Sequence, residues 1–169
     1  GTVTVGGNFS ATTDANNGVI NVGSMAVDGT VALTTNGNGA ATVVNDAGVN
    51  LAASTVGGAL TATATTGNIT ASGNLAITGA AVFTTGATGS NIELDSSGNA
   101  FAAQVTMQAD DGSEAFGNIA FVDSAAIDFA TSAGSNGDLY INAGTDGAVG
   151  GTLSVTATTG NITDTVALA

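Results

Sequence analysis

A chain of 169 residues is enough for one domain, or for a stack of repeats that behaves as one, and this one contains no Lys, Arg, His, Cys, Pro or Trp. Thirteen acidic residues without a basic partner give a net charge of −13, so ion pairs between side chains, Ser-His-Asp or Cys-His catalysis and thiolate metal sites are excluded. Nucleic acid is excluded as a partner as well, because phosphate is held by Lys and Arg.

Only 8% of the residues are charged and 43% are hydrophobic, which leaves enough apolar surface for a folded chain. No run of about twenty apolar residues occurs, so no membrane span is predicted.

In chain order, Thr2 to Val5 is a short alternating strand that runs into Gly6 and Gly7. Asn8 to Thr13 places Phe9 and Ala11 inward, and Asp14 to Gly18 reads as a turn. Val19 to Asn21 and Met25 to Val27 are two brief strands, followed by Thr30 to Thr35, Ala41 to Val44 and Val49 to Ala53. Beyond Gly57 and Gly58 the strand from Leu60 alternates, with Leu60, Ala62 and Ala64 on one face and Thr61, Thr63 and Thr65 on the other. Further strands are predicted at Asn91 to Asp95, Gln104 to Gln108, Ile119 to Val122, Ile127 to Phe129 and Asp138 to Asn142. No window sustains a helical stripe with capping signals.

The stretch VGGALTATATTGNIT, Val56 to Thr70, returns as VGGTLSVTATTGNIT at Val149 to Thr163, with twelve of fifteen positions identical. A fainter copy, VGGNFSAT, opens at Val5, and Met25 to Gly29 aligns with Leu75 to Gly79 at an offset of 50. Such recurrence predicts an all-β parallel β-helix, a β-solenoid, with coils of roughly 20–30 residues and no capping helix. The expected organisation is one solenoid domain over residues 1–169, with repeats at about 6–55 and 57–103, a less regular stretch at 104–149 and a last repeat at 150–169. The offset of 50 is read as two coils of roughly 25 residues.

Val56 to Phe101 resembles the repeat region of filamentous-haemagglutinin-type adhesins and related giant bacterial surface proteins. The resemblance implies a right-handed parallel β-helix in an elongated, extracellular, non-enzymatic protein of the cell surface, engaged in adhesion or in building a fibre. Surface glycans are the partner class that goes with adhesion. The lack of Lys and Arg departs from the family.

The ends carry a second expectation. Written tail to head, Val166, Ala167, Leu168 and Ala169 followed by Gly1, Thr2, Val3, Thr4 and Val5 reproduce the internal pattern of Leu75 to Phe83. These nine residues are the expected assembly interface, either between copies stacked head to tail in a filament or within a longer array. Since Gly1 begins inside a strand pattern, a processed chain or a piece of a longer one is expected. The first functional reading is therefore a segment or subunit of an extracellular filament, and the alternative is the rigid stalk of a large secreted adhesin.

Other candidates are weighed against plainer readings. Asp110, Asp111 and Glu114 form the densest acidic cluster and suit Ca²⁺, the one cofactor considered, but no Ca²⁺-loop motif is present and a solvated turn is the plainer reading. Asn8, Asn68 and Asn161 open N-x-S/T sequons, two of which are the copied Gly-Asn-Ile-Thr turn. Glu93 with Asp95, and Asp123 with Asp128, are the carboxylate pairs a polysaccharide hydrolase would need, although acids on an outer strand face more often solubilise. The Thr rows at 61, 63, 65 and at 154, 156, 158 are similar to the flat arrays of ice-binding solenoids, a third reading.

Overall fold

The computed structural model describes residues 1–109, 116–135, 137–142 and 151–165. Strands of two to eight residues alternate with Gly- and Asn-rich corners, and no helix occurs among the described residues. Among the described residues every strand pairing is parallel, and the partners lie a full coil apart in sequence. Parallel strands joined by such short corners cannot return as hairpins, so the chain climbs as a solenoid.

Three faces follow from the pairing. The first is a seven-stranded sheet that starts at Val3–Val5 and Ile20–Val27, continues through Ala41–Asn45, Leu60–Ala64, Ala81–Thr85 and Val105–Gln108, and ends at Leu139–Ile141. Thr30–Asn36 is long enough to bend round a corner: its start pairs with Val49–Leu51, while Thr34 pairs with Thr55. The ten-stranded sheet therefore forks. Its second face runs from Phe9–Asn16 through Val49–Leu51, Ile69–Ala71, Ile92–Leu94 and Ile119–Asp123 to Leu153–Ala157. The third face comprises Ser54–Val56, Leu75–Ile77 and Ala100–Phe101, and after a break Ile127–Asp128 pairs with Ile162–Thr163.

The period-two pattern decides which side chains enter the core. Leu60, Ala62 and Ala64 are fully buried, whereas the Thr residues between them are half-buried. Residues of the same parity stack into interior columns, such as Ile20, Ala41, Leu60, Ala81, Val105 and Leu139 on the first face. The faces meet in one core, where Phe101 packs edge-on to Phe83 with ring centres 6.2 Å apart and tilted against Phe121 at 5.3 Å. Each fully buried Leu or Ile contributes about 1.5–3 kcal/mol by leaving water.

Coil length is uneven. Paired residues in successive coils are 22 apart at Val3 and Met25, 19 apart at Ala41 and Leu60 and 23 apart at Ile69 and Ile92. The separation grows to 27 at Asn91 and Asn118 and to 34 at Asn118 and Thr152. Insertions collect at corners, where lengthening a loop costs little.

Three expectations are corrected here. The offset of 50 does not mark two coils, because Met25 to Val27 lies on the first face and Leu75–Ile77 on the third. The two copies of the long repeat lie on different faces: Leu60–Ala64 belongs to the first, but Leu153–Ala157 pairs with Ile119–Asp123 on the second. The repeat encodes a strand, a corner and a strand, and two different corners of the stack accept it. Further, Val19 to Asn21 and Met25 to Val27 merge into the single strand Ile20–Val27, and the strand from Phe9 runs on to Asn16, which pairs with Asn36. The turn is confined to Asn17 and Gly18, where Asn17 takes a left-handed φ of 61°.

Candidate functional site

The chemistry of this chain lies in how one coil is tied to the next. At the entry to the second face, Asn side chains form an outer ladder. The Asn68 carboxamide oxygen accepts the Asn91 amide at 2.9 Å, Asn91 accepts Asn118 at 2.8 Å, and Asn118 accepts Thr152 at 2.8 Å. Asn8 accepts Thr30 in the same manner at 3.0 Å. Each bond satisfies a corner amide that the strand ladder leaves over.

A second set of clamps is interior. Asn45 is 1% exposed; its oxygen accepts the Val27 amide at 2.9 Å, while its nitrogen donates to the Val27 and Gly48 carbonyls. Asn99 accepts the Leu75 amide at 2.9 Å and donates to the Leu94 carbonyl at 3.1 Å. The Ser54 hydroxyl accepts the Leu33 amide at 3.0 Å and donates to Ala52.

A further interior clamp is a carboxylate. Asp123 is 2% exposed and its oxygen accepts the Phe101 amide at 3.2 Å. Burial pushes its carboxyl above the usual carboxylate range, an effect partly offset by the Phe101, Ala125 and Ser124 amides and reinforced by the charge of Asp138.

This placement corrects the reading of Asp123 as an outer-face acid. The signal was available in its parity, since Ile119, Phe121 and Asp123 share one side of the strand, as do Ala41, Val43 and Asn45. Asn45, Ser54 and Asn99 were not singled out by any motif.

Asp128 does stand on the outside. Its carboxylate accepts the hydroxyls of Thr165 and Thr163 and the Thr165 amide, which hold its pKa below the ordinary value. Asp123 and Asp128 are thus turned to different sides of the wall. Glu93 is half-buried and accepts the Asn91 side-chain amide at 3.3 Å, while Asp95 is exposed at a corner.

Asp110, Asp111 and Glu114 lie outside the described residues, as do Val166, Ala167, Leu168 and Ala169. Among the described residues no group of three acids is arranged to hold a metal ion. The sequon residues Asn8, Asn68 and Asn161 are all exposed, the first two with their oxygens engaged in the ladder. The outer columns are mixed: Asn21, Thr42, Thr61, Val82, Thr106 and Tyr140 follow one another on the first face. The second Thr row lies on another face, so the two do not form one array. No helix of the described residues is long and apolar enough to cross a membrane.

The described ends are open edges. Gly1 to Thr4 are exposed and Val5 is half-buried. Among the described residues Val3–Val5 pairs only with Met25 to Val27, and Phe9–Asn16 only with the strand from Thr30. At the other end Leu153–Ala157 has a partner on one side alone among the described residues. There Leu153 is 43% and Ile162 46% exposed, although Leu60 and Ile69, their counterparts in the same repeat text, are fully buried.

One groove, of about 340 Å³, lies where the third face breaks, between Ile77, Phe101 and Ala125. Among the described residues the strand Ala100–Phe101 pairs with Leu75–Ile77 alone.

Residues 38–108 match a family described as repeats of unknown function (DUF5649). No curated protein and no solved structure matches the chain. What the comparisons and the geometry establish together is a repeat protein built as a parallel β-solenoid.

Proposed function

We propose that the chain is a structural segment of an extracellular filament or surface fibre, in which coil stacks on coil and further coils cover the two open edges. The observation that carries this reading is the unequal burial of one repeat text. Leu60 and Ile69 lie in the dry core, while Leu153 and Ile162 stand at an edge that a further coil would close. A parallel edge with free N–H and C=O groups and a half-exposed apolar row is a template for another strand. In a solenoid, stability grows with the number of neighbours stacked.

The work of such a protein is mechanical and non-enzymatic, and its partners are other coils of its own kind. A uniformly acidic surface suits exposure outside a cell and keeps stacks from adhering side by side. An adhesin stalk is the second reading, favoured by the match of residues 38–108 to a repeat family, since repeats of one family recur along a longer polypeptide.

Negative-stain microscopy of the purified chain tests the filament, together with fibre diffraction for an axial reflection near 4.8 Å. Particles that stay short at every protein and salt concentration refute assembly by this chain.

A further inference from the structure

We propose that the edge Leu153–Ala157 receives the edge Phe9–Asn16 of a second copy in one register, with Phe9 of the incoming copy over Val155 and Ala11 over Ala157. The inference rests on the filament reading and adds to it the contact that would set the subunit repeat.

The second face carries one apolar column from end to end. Phe9 pairs with Val31, Val31 with Leu51, and Leu51 with Ala71. The register of Thr70 with Glu93 carries the column on to Leu94, which pairs with Phe121, which pairs with Val155. Both terminal members, Phe9 and Val155, are only half-buried, although both already pack against the core. A copy that continues the stack in phase sets its first column member on the last one. That closes the column without shifting any strand along the face.

The two edges agree in side-chain parity. Phe9, Ala11 and Thr13 are half-buried and alternate with exposed Ser10, Thr12 and Asp14; Val155 and Ala157 are half-buried and alternate with exposed Ser154 and Thr156. Both strands run in the same direction as every other strand of the face, so the junction is the parallel pairing already used within the chain.

The repeated text argues for a different register. Aligning Gly6 and Gly7 with Gly150 and Gly151 sets Phe9 over Leu153, two residues earlier. A slip of two keeps every side chain on its own face, so alternation alone does not choose. Within the chain, however, identical text sits on different faces, and it is the columns that persist from coil to coil. The column therefore decides.

The chain has no Cys, so an introduced pair supplies the only thiols. In the proposed register the outward residues Ser10 and Thr156 are neighbours across the junction, about 4.8 Å apart between Cα atoms, within disulfide reach. In the text register Ser10 instead faces Ser154. The double variants Ser10→Cys/Thr156→Cys and Ser10→Cys/Ser154→Cys are concentrated in about 0.5 M salt, which screens the repulsion between copies, then mildly oxidised and run on non-reducing denaturing gels. Both substitutions are at exposed positions, and far-UV circular dichroism checks that each variant keeps its β-structure.

The expected result is a ladder of covalent multimers from the Thr156 pair, about tenfold stronger than from the Ser154 pair. A ladder from the Ser154 pair alone overturns the register and leaves the filament reading standing. Rods in the microscope without a ladder from either pair overturn the junction, again without touching the filament. Isolated particles that never associate overturn both, and assign the edges to further coils of one polypeptide.

Discussion

Leu60 and Leu153 form an internal control, because the same residue in nearly the same fifteen-residue text meets two environments. Leu60 is fully buried between coils, so Leu60→Ala loses about 2 kcal/mol of transfer free energy and leaves a cavity worth about 1 kcal/mol more, roughly 3 kcal/mol in total. Leu153 is 43% exposed, so little more than half of the same transfer term is at stake, about 1 kcal/mol, and an open edge leaves no cavity. Equilibrium urea unfolding of dilute protein, followed by far-UV circular dichroism, measures both. With a slope of about 2 kcal/mol per molar, the midpoints fall by about 1.5 M and about 0.5 M. In assembled material the Leu153→Ala loss is expected to rise towards that of Leu60→Ala, because a further coil then covers the site. Equal losses in dilute protein would refute the argument, since they would mean that the last strand is already covered.

Four other outcomes follow. Asn99→Ala orphans the Leu75 amide and the Leu94 carbonyl inside the core and is expected to cost about 2–4 kcal/mol in the same urea experiment; a loss below about 0.5 kcal/mol contradicts the clamp. Thr85→Val removes a buried hydroxyl that has no hydrogen-bond partner and keeps the shape, so a gain of about 1 kcal/mol is expected, and a loss of that size counts against the packing. Gly57→Ala would drive a methyl group into the Gly37 carbonyl oxygen of the preceding coil, at a cost of about 1–3 kcal/mol that thermal melting reads directly. Asp123 has a folded pKa raised by burial, so its contribution to stability is full below the unfolded carboxylate value and is lost as pH rises through the folded one. Asp123→Asn is therefore expected to stabilise the chain at neutral pH and not at acidic pH, and a variant equal to the parent at both would remove the assignment. Asp128, with its lowered pKa, acts in the opposite sense and is common to both proteins.

Much of the fold was legible in the sequence because the signal is local. Strict alternation from Leu60 to Thr65, bounded by Gly57-Gly58 and Gly67-Asn68, specifies a short strand with one apolar side. Recurrence of that unit implies stacking, since one such strand cannot bury its own face. The Gly pair itself has a contact behind it, since Gly57 and Gly58 lie against Gly37 and Gly39 of the coil before. Parity pointed Asp123 and Asn45 inward as well, but polarity set Asp123 on the outer face in the sequence reading, and the structure buries both. What overrides polarity is the demand of a corner amide for an acceptor: Phe101 and Val27 would otherwise be buried without one.

The sequence by itself determined the elements: which segments are strands, which side chain of each faces inward, and that the units pile up in parallel. Which face each unit occupies was decided only by the tertiary structure, because it depends on the summed length of every preceding corner. The one-coil separation is 22 residues at the first coil, 19 further on and 34 at the last, and that unevenness carries the second copy of the long repeat onto a different face from the first. A strand-and-corner unit has no means of encoding which face it lands on. That is fixed by the coil already laid down beneath it, whose backbone amides and carbonyls it must meet in register.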